Sequence, residues 1–332
     1  MKNNLAKIAA QLMRPGKGIL AADESTKSIS KKFAGVRIVS TVEKRRQYRE
    51  LLFTTPGMSK YISGVIMYDE TIRQVTTKKI PFVKYLKKNR ILPGIKVDQG
   101  LIPLAPSSLE QITQGLAGLE TRLLEYKKMG AVFTKWRAVF TISALTPSSE
   151  CIKVNAQALA EYAKLVQKVG LVPIVEPEVL MSGAHDIKTN YRITKKVLQA
   201  VFRELKKAKV QFSGMLLKPN MVLAGEKNPR PEIAEGVALY TARCLAETIP
   251  TDLGGIVFLS GGQSEDRACK NLAAIVRLKG RAIHCNLSYS FGRALQNSAI
   301  VTWKGKQANR VSAQKVFLRR CKMASQASLG KG

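Results

Sequence analysis

Histidine is nearly missing: His185 and His284 are the only two in 332 residues. Neither sits in a ligand-like cluster, which speaks against imidazole-bound metal, and both read as structural. Cysteine is sparse too. Cys151, Cys244, Cys269, Cys285 and Cys321 are widely spaced, odd in number and never form CxxC. That pattern argues against a disulfide framework or a zinc site and fits a reducing cytoplasm. No run approaches the roughly 20 apolar residues that a membrane span requires. Leu5, Ile8, Ala9 and Leu12 recur at helical spacing with Lys7 among them, so the N-terminus reads as a short amphipathic helix and not as a signal peptide. No GxGxxG follows the first apolar run, which weakens the case for an open dinucleotide-binding sheet.

Acidic residues are also scarce, with 23 Asp and Glu against 55 Lys and Arg, a net charge of +32. Such a balance attracts polyanions in a salt-sensitive way. Weak, nonspecific polyanion adhesion is therefore expected as a by-product. Aromatics make up only 6%, and no nucleic-acid motif is present. The basic stretches Lys78 to Arg90, Lys206 to Lys209 and Arg319 to Lys322 are interleaved with apolar residues and read as solvated faces of amphipathic helices.

What the chain has in quantity is a repeated unit. Eight short apolar runs end in polar or charged residues: 18–23 (GILAAD), 64–69 (GVIMYD), 94–98 (GIKVD), 131–137 (AVFTKWR), 171–178 (LVPIVEPE), 214–218 (GMLLK), 255–260 (GIVFLS) and 287–293 (LSYSFGR). Stretches with helical periodicity separate them. Ile193, Val197, Leu198, Val201, Phe202 and Leu205, for example, mark one face, with Arg192, Lys196, Arg203 and Lys206 on the other. The spacing leaves room for one helix per strand and predicts an α/β fold, a single (β/α)8 TIM barrel with an N-terminal and a C-terminal helix. Residues 1–332 are expected to form one domain, with barrel strands over about 18–293 and the closing helix and short tail over about 294–332.

Ionisable groups collect where the apolar runs end: Asp23, Lys96, Asp98, Lys135, Arg137, Glu176, Glu178, Lys218 and Arg293. Any one of them could seal the barrel as a salt bridge, but a ring of nine at the mouth, where barrels build their active sites, points to chemistry. Lysines near acids suggest an amine nucleophile. Crowded cations and burial are expected to lower a lysine pKa; bringing one from about 10.4 to near 7 takes roughly 4 to 5 kcal/mol. Ser260 and Gly261 in one unit, with Ser290, Gly292 and Arg293 in the next, match the phosphate site that barrels often place after strands seven and eight. Ser25 and Ser28 offer a second phosphate site or, alternatively, a helix N-cap.

The strings GILAADES, GIKVD, KWR, VPIVEPE, LLKPNMV, FLSGGQSE and SFGRALQ, in this order, resemble successive signatures of class I fructose-bisphosphate aldolases, from about residue 5 to the end. The resemblance implies reversible cleavage of fructose 1,6-bisphosphate to dihydroxyacetone phosphate and glyceraldehyde 3-phosphate, with no metal and no cofactor. It implies that Lys218 forms a Schiff base with the ketone and that Glu176 is its acid and base. Asp23 and Lys135 would assist proton transfer and C3–C4 cleavage. Arg293, Ser260 and Gly261 would hold one phosphate; Ser25, Ser28, Lys96 and Lys32 would contact the other; Arg137, Glu178, Ser290 and Gly292 match further pocket positions. It also implies a homotetramer in the cytoplasm.

Three departures stand out. Lys27 replaces an expected Gly, Phe291 replaces a common Tyr, and the sequence reaches Gly332 about where longer members begin a tail ending in Tyr. The first two are expected to alter substrate contacts, the third proton transfer to the enamine. An aldolase of the transaldolase or deoxyribose-phosphate type, and a barrel whose main role is polyanion binding, remain as alternatives.

Overall fold

The computed structural model describes residues 2–105, 109–280 and 283–331. Eight parallel strands close into a barrel: β1 Gly18–Ala22, β2 Ile62–Met67, β3 Leu92–Lys96, β4 Phe133–Phe140, β5 Val172–Val179, β6 Leu216–Leu217, β7 Ile256–Phe258 and β8 Leu287–Phe291. Each pairs with its neighbours in chain order, and β8 pairs back onto β1. This is the expected (β/α)8 barrel.

Alternation along each strand decides what faces where. Leu20, Val65, Ile95, Trp136, Val175, Leu217, Phe258 and Tyr289 point outward and pack in the large core shared with the surrounding helices. Ile19, Ala21, Ile66, Phe133, Val172, Ile174, Leu216 and Val257 point inward. The N-terminal helix Lys2–Leu12 closes the bottom of this inner core with Leu5, Ala9 and Leu12. Phe133 fits there because its neighbour is Gly94: a Cβ at that position would lie 2.3 Å from the Phe133 ring.

Strand limits differ from the sequence reading where pairing overrides apolar composition. β4 runs on to Phe140 because all eight of its residues pair with β5. β6 shrinks to two residues: 212–214 form a 3-10 turn, and Pro219, lacking an N–H, follows Lys218. Missed altogether were the antiparallel pair Leu101–Pro103 and Gln111–Thr113, too short and polar for a periodic signal. The closing helix is Arg310–Ala327, preceded by Arg293–Trp303 on the end of β8.

The basic stretches are mostly exposed, as expected, but Arg320 is not. It is 7% exposed, and its Nη1 lies 2.6 Å from Asp266 Oδ1. An amphipathic pattern does not register which cation meets an acid from another helix.

All five cysteines are reduced and buried. Burial pushes the thiols of Cys151, Cys269 and Cys285 up to about 11 and that of Cys244 up to about 12. Because the thiolate is the reactive form, native protein at neutral pH is expected to react with iodoacetamide much more slowly than the denatured chain. Mass spectrometry of a time course checks this; rapid native labelling at any of these sites would contradict their burial.

Candidate active site

The inward alternation that gives apolar layers at the bottom of the barrel gives charge at the top. On β4 the inward series is Phe133, Lys135, Arg137; on β5 it is Val172, Ile174, Glu176, Glu178. In register, Lys135 lies beside Ile174 and Arg137 beside Glu176. Lys218 follows β6, where its backbone N–H still donates to Val175 O at 2.8 Å, so its side chain enters the same layer.

Four groups form a continuous chain there. Asp23 Oδ2 is 2.7 Å from Lys135 Nζ, which is 3.1 Å from Glu176 Oε2; Glu176 Oε1 is 3.0 Å from Lys218 Nζ. Lys135, Glu176 and Lys218 are only 3–4% exposed. Two cations alternate with two carboxylates, so burial is offset by pairing.

Burial alone would raise the Asp23 pKa, but Lys135 and Lys218 outweigh it and hold this carboxyl well below the usual range. Burial likewise opposes, and Lys135 and Lys218 reverse, the shift at Glu176, which also ends below its ordinary value. At Lys135 burial acts downward, yet Asp23 and Glu176 win and the pKa rises. The expected lowering of lysine pKa by a crowded basic mouth is therefore reversed at Lys135. Composition counts cations over the whole chain; the local count is set by two acids within 3.1 Å.

These shifts have a consequence for acid stability. A carboxylate depressed in the fold stabilises it fully above the unfolded pKa, about 4, and that contribution is lost as pH falls through the folded value. The raised Lys135 acts on the opposite limb: its contribution is complete below about 10.4 and disappears only as pH rises through its raised value. Between about pH 5 and about pH 3 the melting temperature of Asp23→Asn should therefore fall less than that of the parent protein. Calorimetry across that range checks it, and parallel curves would assign the acid sensitivity to other groups.

All sixteen mouth and pocket residues singled out from the sequence, Asp98 among them, line one cleft of about 1360 Å³ at this mouth. Ser260 and Gly261 follow β7, where Gly261 (φ 44°) and Gly262 (φ 84°) both adopt the left-handed conformation that turns backbone toward a ligand. Ser290, inward on β8, has a buried Oγ with no hydrogen-bond partner among the described residues, and Gly292 and Arg293 open the next helix. Across the cleft, Ser25 caps the helix Thr26–Ala34, its Oγ accepting from Ser28 N–H at 3.3 Å; Ser25 Oγ and Ser28 Oγ are 3.1 Å apart. Both readings of Ser25 thus hold, cap and cleft wall. Lys96 pairs with Asp98, Lys32 with Glu24, and Arg137 Nε with Glu178 Oε2 at 2.5 Å.

Of the departures, Lys27 is exposed on the cleft wall. Phe291 is not in the cleft: it points outward, fully buried, its ring centroid 5.3 Å from that of Tyr289. Contrary to the expectation that it alters substrate contacts, strand alternation turns it away from Ser290 and from the cleft. His185 and His284 also lie outside the cleft wall.

Supporting residues were missed because they lie on helices or loops, away from the apolar runs. Arg49 is buried beneath Glu24 at 2.9 Å. Gln296 donates to Ala21 O at 2.7 Å and so fixes the exit of β1 just before Asp23. Asn220 Oδ1 accepts from Val179 N–H at 3.0 Å, tying the loop after Lys218 to the end of β5. The pair Asp23-Glu24 at one strand end was the one readable signal that a buried cation had to lie nearby.

Comparison with known proteins agrees with this geometry. The family model "Fructose-bisphosphate aldolase class-I" matches residues 4–332. A probable fructose-bisphosphate aldolase class 1 of Xanthomonas campestris pv. campestris is 48% identical over 328 residues, 98% of each chain. The cytosolic fructose-bisphosphate aldolase 5 of Arabidopsis thaliana is 49% identical over 331 residues, 99% of this chain and 91% of its own. A solved structure of fructose-bisphosphate aldolase from Plasmodium falciparum, in complex with TRAP and a small-molecule inhibitor, superposes with a TM-score of 0.97 at 44% identity, covering 99% of this chain and 95% of that one. With the motifs, the closed barrel and full-length similarity in agreement, the chain belongs to the class I fructose-bisphosphate aldolase family.

Proposed function

We propose that this protein reversibly cleaves fructose 1,6-bisphosphate through an imine at Lys218. The observation that carries the reading is the buried Lys218 Nζ to Glu176 Oε1 contact of 3.0 Å, which puts an amine beside a group able to take and return its proton. Loss of a proton to Glu176 frees the nitrogen lone pair for attack on the substrate ketone carbon. As Lys218 becomes neutral, one of the three cations that depress Glu176, the others being Lys135 and Arg137, loses its charge, so the carboxylate gains proton affinity as the proton arrives. The protonated Glu176 then returns a proton to the carbinolamine hydroxyl, which leaves as water and gives the iminium.

The iminium accepts the electron pair of the C3–C4 bond as the C4 hydroxyl loses its proton. Asp23 and Lys135 assist that transfer. Glyceraldehyde 3-phosphate departs, the remaining enamine is protonated, and water releases dihydroxyacetone phosphate and the free amine. Arg293, Ser260, Gly261, Ser290 and Gly292 hold one phosphate; Ser25, Ser28, Lys32 and Lys96 contact the other; Arg137 and Glu178 orient the chain between them. The unpartnered Ser290 Oγ and the paired left-handed glycines support the first of these sites.

Residues 1–332 act in this reading as one domain, supported by terminal helices that pack on a barrel closed between its first and last strands. Likeness to the family supports a homotetramer, and two plant relatives named cytosolic or cytoplasmic support a cytoplasmic setting. No described helix is long and apolar enough to cross a membrane.

The test is to incubate the protein with dihydroxyacetone phosphate, reduce with borohydride and locate the adduct by peptide mass spectrometry. An adduct at Lys218 is expected; none in folded protein, or one on another lysine, would overturn the assignment.

A further inference from the structure

A second cleft, of about 210 Å³, lies at the opposite end of the barrel, and it shares no lining residue with the cleft at the mouth. Ser63 and Leu92, which line it, stand at the starts of β2 and β3. Arg14, Lys17, Lys87 and Arg90 also line it, and among the described residues no carboxylate does. None of these four cations takes part in an ion pair among the described residues.

Two chain turns bring them together. Lys17 N–H donates to Arg14 O at 3.0 Å after the N-terminal helix, and Arg90 N–H donates to Lys87 O at 2.9 Å after the helix Phe82–Lys88. Lys17 is held half-buried by donation from its Nζ to Ser59 O at 2.6 Å. Burial first, then Arg14 and Arg90, lower its pKa, so the cations sense one another.

Cations often collect at helix C-termini, and two helices end here. Each end supplies only about half a negative charge, together about one unit against four cations. A surplus of about three positive charges remains. A single phosphate monoester carries about two negative charges and would leave part of it unmatched. The volume equals about seven waters at roughly 30 Å³ each, room for several linked phosphates. The remaining lining residues, Gln11, Ser63, Ile91 and Leu92, include no aromatic on which a base would stack.

We propose that this cleft binds an oligophosphate chain, free or as part of a nucleoside triphosphate, through Arg14, Lys17, Lys87 and Arg90. Guanidinium forks from Arg14 and Arg90 match neighbouring phosphate oxygens, and the two ammonium groups fill in as point charges.

Isothermal titration with inorganic tripolyphosphate, run in saturating fructose 1,6-bisphosphate so that the mouth is occupied, tests this. One site per chain is expected, weakened at least about tenfold in the double variant Arg14→Gln/Arg90→Gln. A control double variant, Lys188→Gln/Lys206→Gln, removes the same charge from exposed positions elsewhere and should change affinity by less than about twofold. Aldol cleavage by both variants should match the parent, which also shows that they fold. Metal-free ATP binding as tightly as tripolyphosphate would identify the nucleotide as the source, and weaker ATP binding the free chain. Equal losses in the two double variants, inorganic phosphate binding as well as tripolyphosphate, or no saturable site would overturn the proposal.

Discussion

Lys218→Ala is expected to lower kcat/KM for fructose 1,6-bisphosphate cleavage on the order of 10⁵-fold or more, the scale lost when a covalent nucleophile is removed from other enzymes. The fold should survive. Removing this ammonium leaves Glu176 paired with Lys135 at 3.1 Å, so no buried carboxylate is stranded. A coupled assay for triose phosphate, with thermal unfolding alongside, separates the two effects. Lys218→Arg refines the test because it keeps the charge beside Glu176 but carries a group that stays protonated. If either variant kept activity within about tenfold of the parent, the imine would have to form elsewhere.

Glu176→Gln should be the next most damaging change, and it should damage two things at once. Loss of the acid and base is expected to lower kcat by about 10²- to 10⁴-fold. Asp23 still pairs with Lys135 in this variant, but Lys218 loses its carboxylate, and breaking such a buried pair from one side costs about 3 to 5 kcal/mol. Single-turnover kinetics of imine formation and calorimetric melting therefore both move. A lower melting temperature with an unchanged rate would reduce Glu176 to a structural counter-ion; a slower rate in a variant as stable as the parent would contradict the energetic role of the pair.

How legible this site was depends on which physical signal each residue leaves in the sequence. Lys135, Glu176 and Lys218 stand out because an ionisable group in an apolar strand is costly, and the chain has few such positions. Ser260, Gly261 and Arg293 were legible through small residues at successive strand ends. Arg49, Gln296 and Asn220 left no comparable mark. Polar residues are ordinary on helices and loops, and their burial behind Glu24, Ala21 O and Val179 N–H comes from contacts over long sequence separation. The same limitation explains Arg320, counted with a solvated face though it pairs with Asp266 on another helix.

The sequence by itself determined the barrel, its eight units and the residues that meet at its mouth, because strand alternation and helical periodicity are local and repeat along the chain. Tertiary structure alone decided the rest. Register between β4 and β5 aligned Lys135 and Glu176, and the closing of the ring brought in Asp23, so Lys135 gained two acids and a pKa opposite in direction to the expectation. Phe291 was turned from cleft to core by its place in the alternation of β8. Electrostatic sign at a buried point depends on neighbours within a few ångströms, and that neighbourhood exists only once distant segments are in contact.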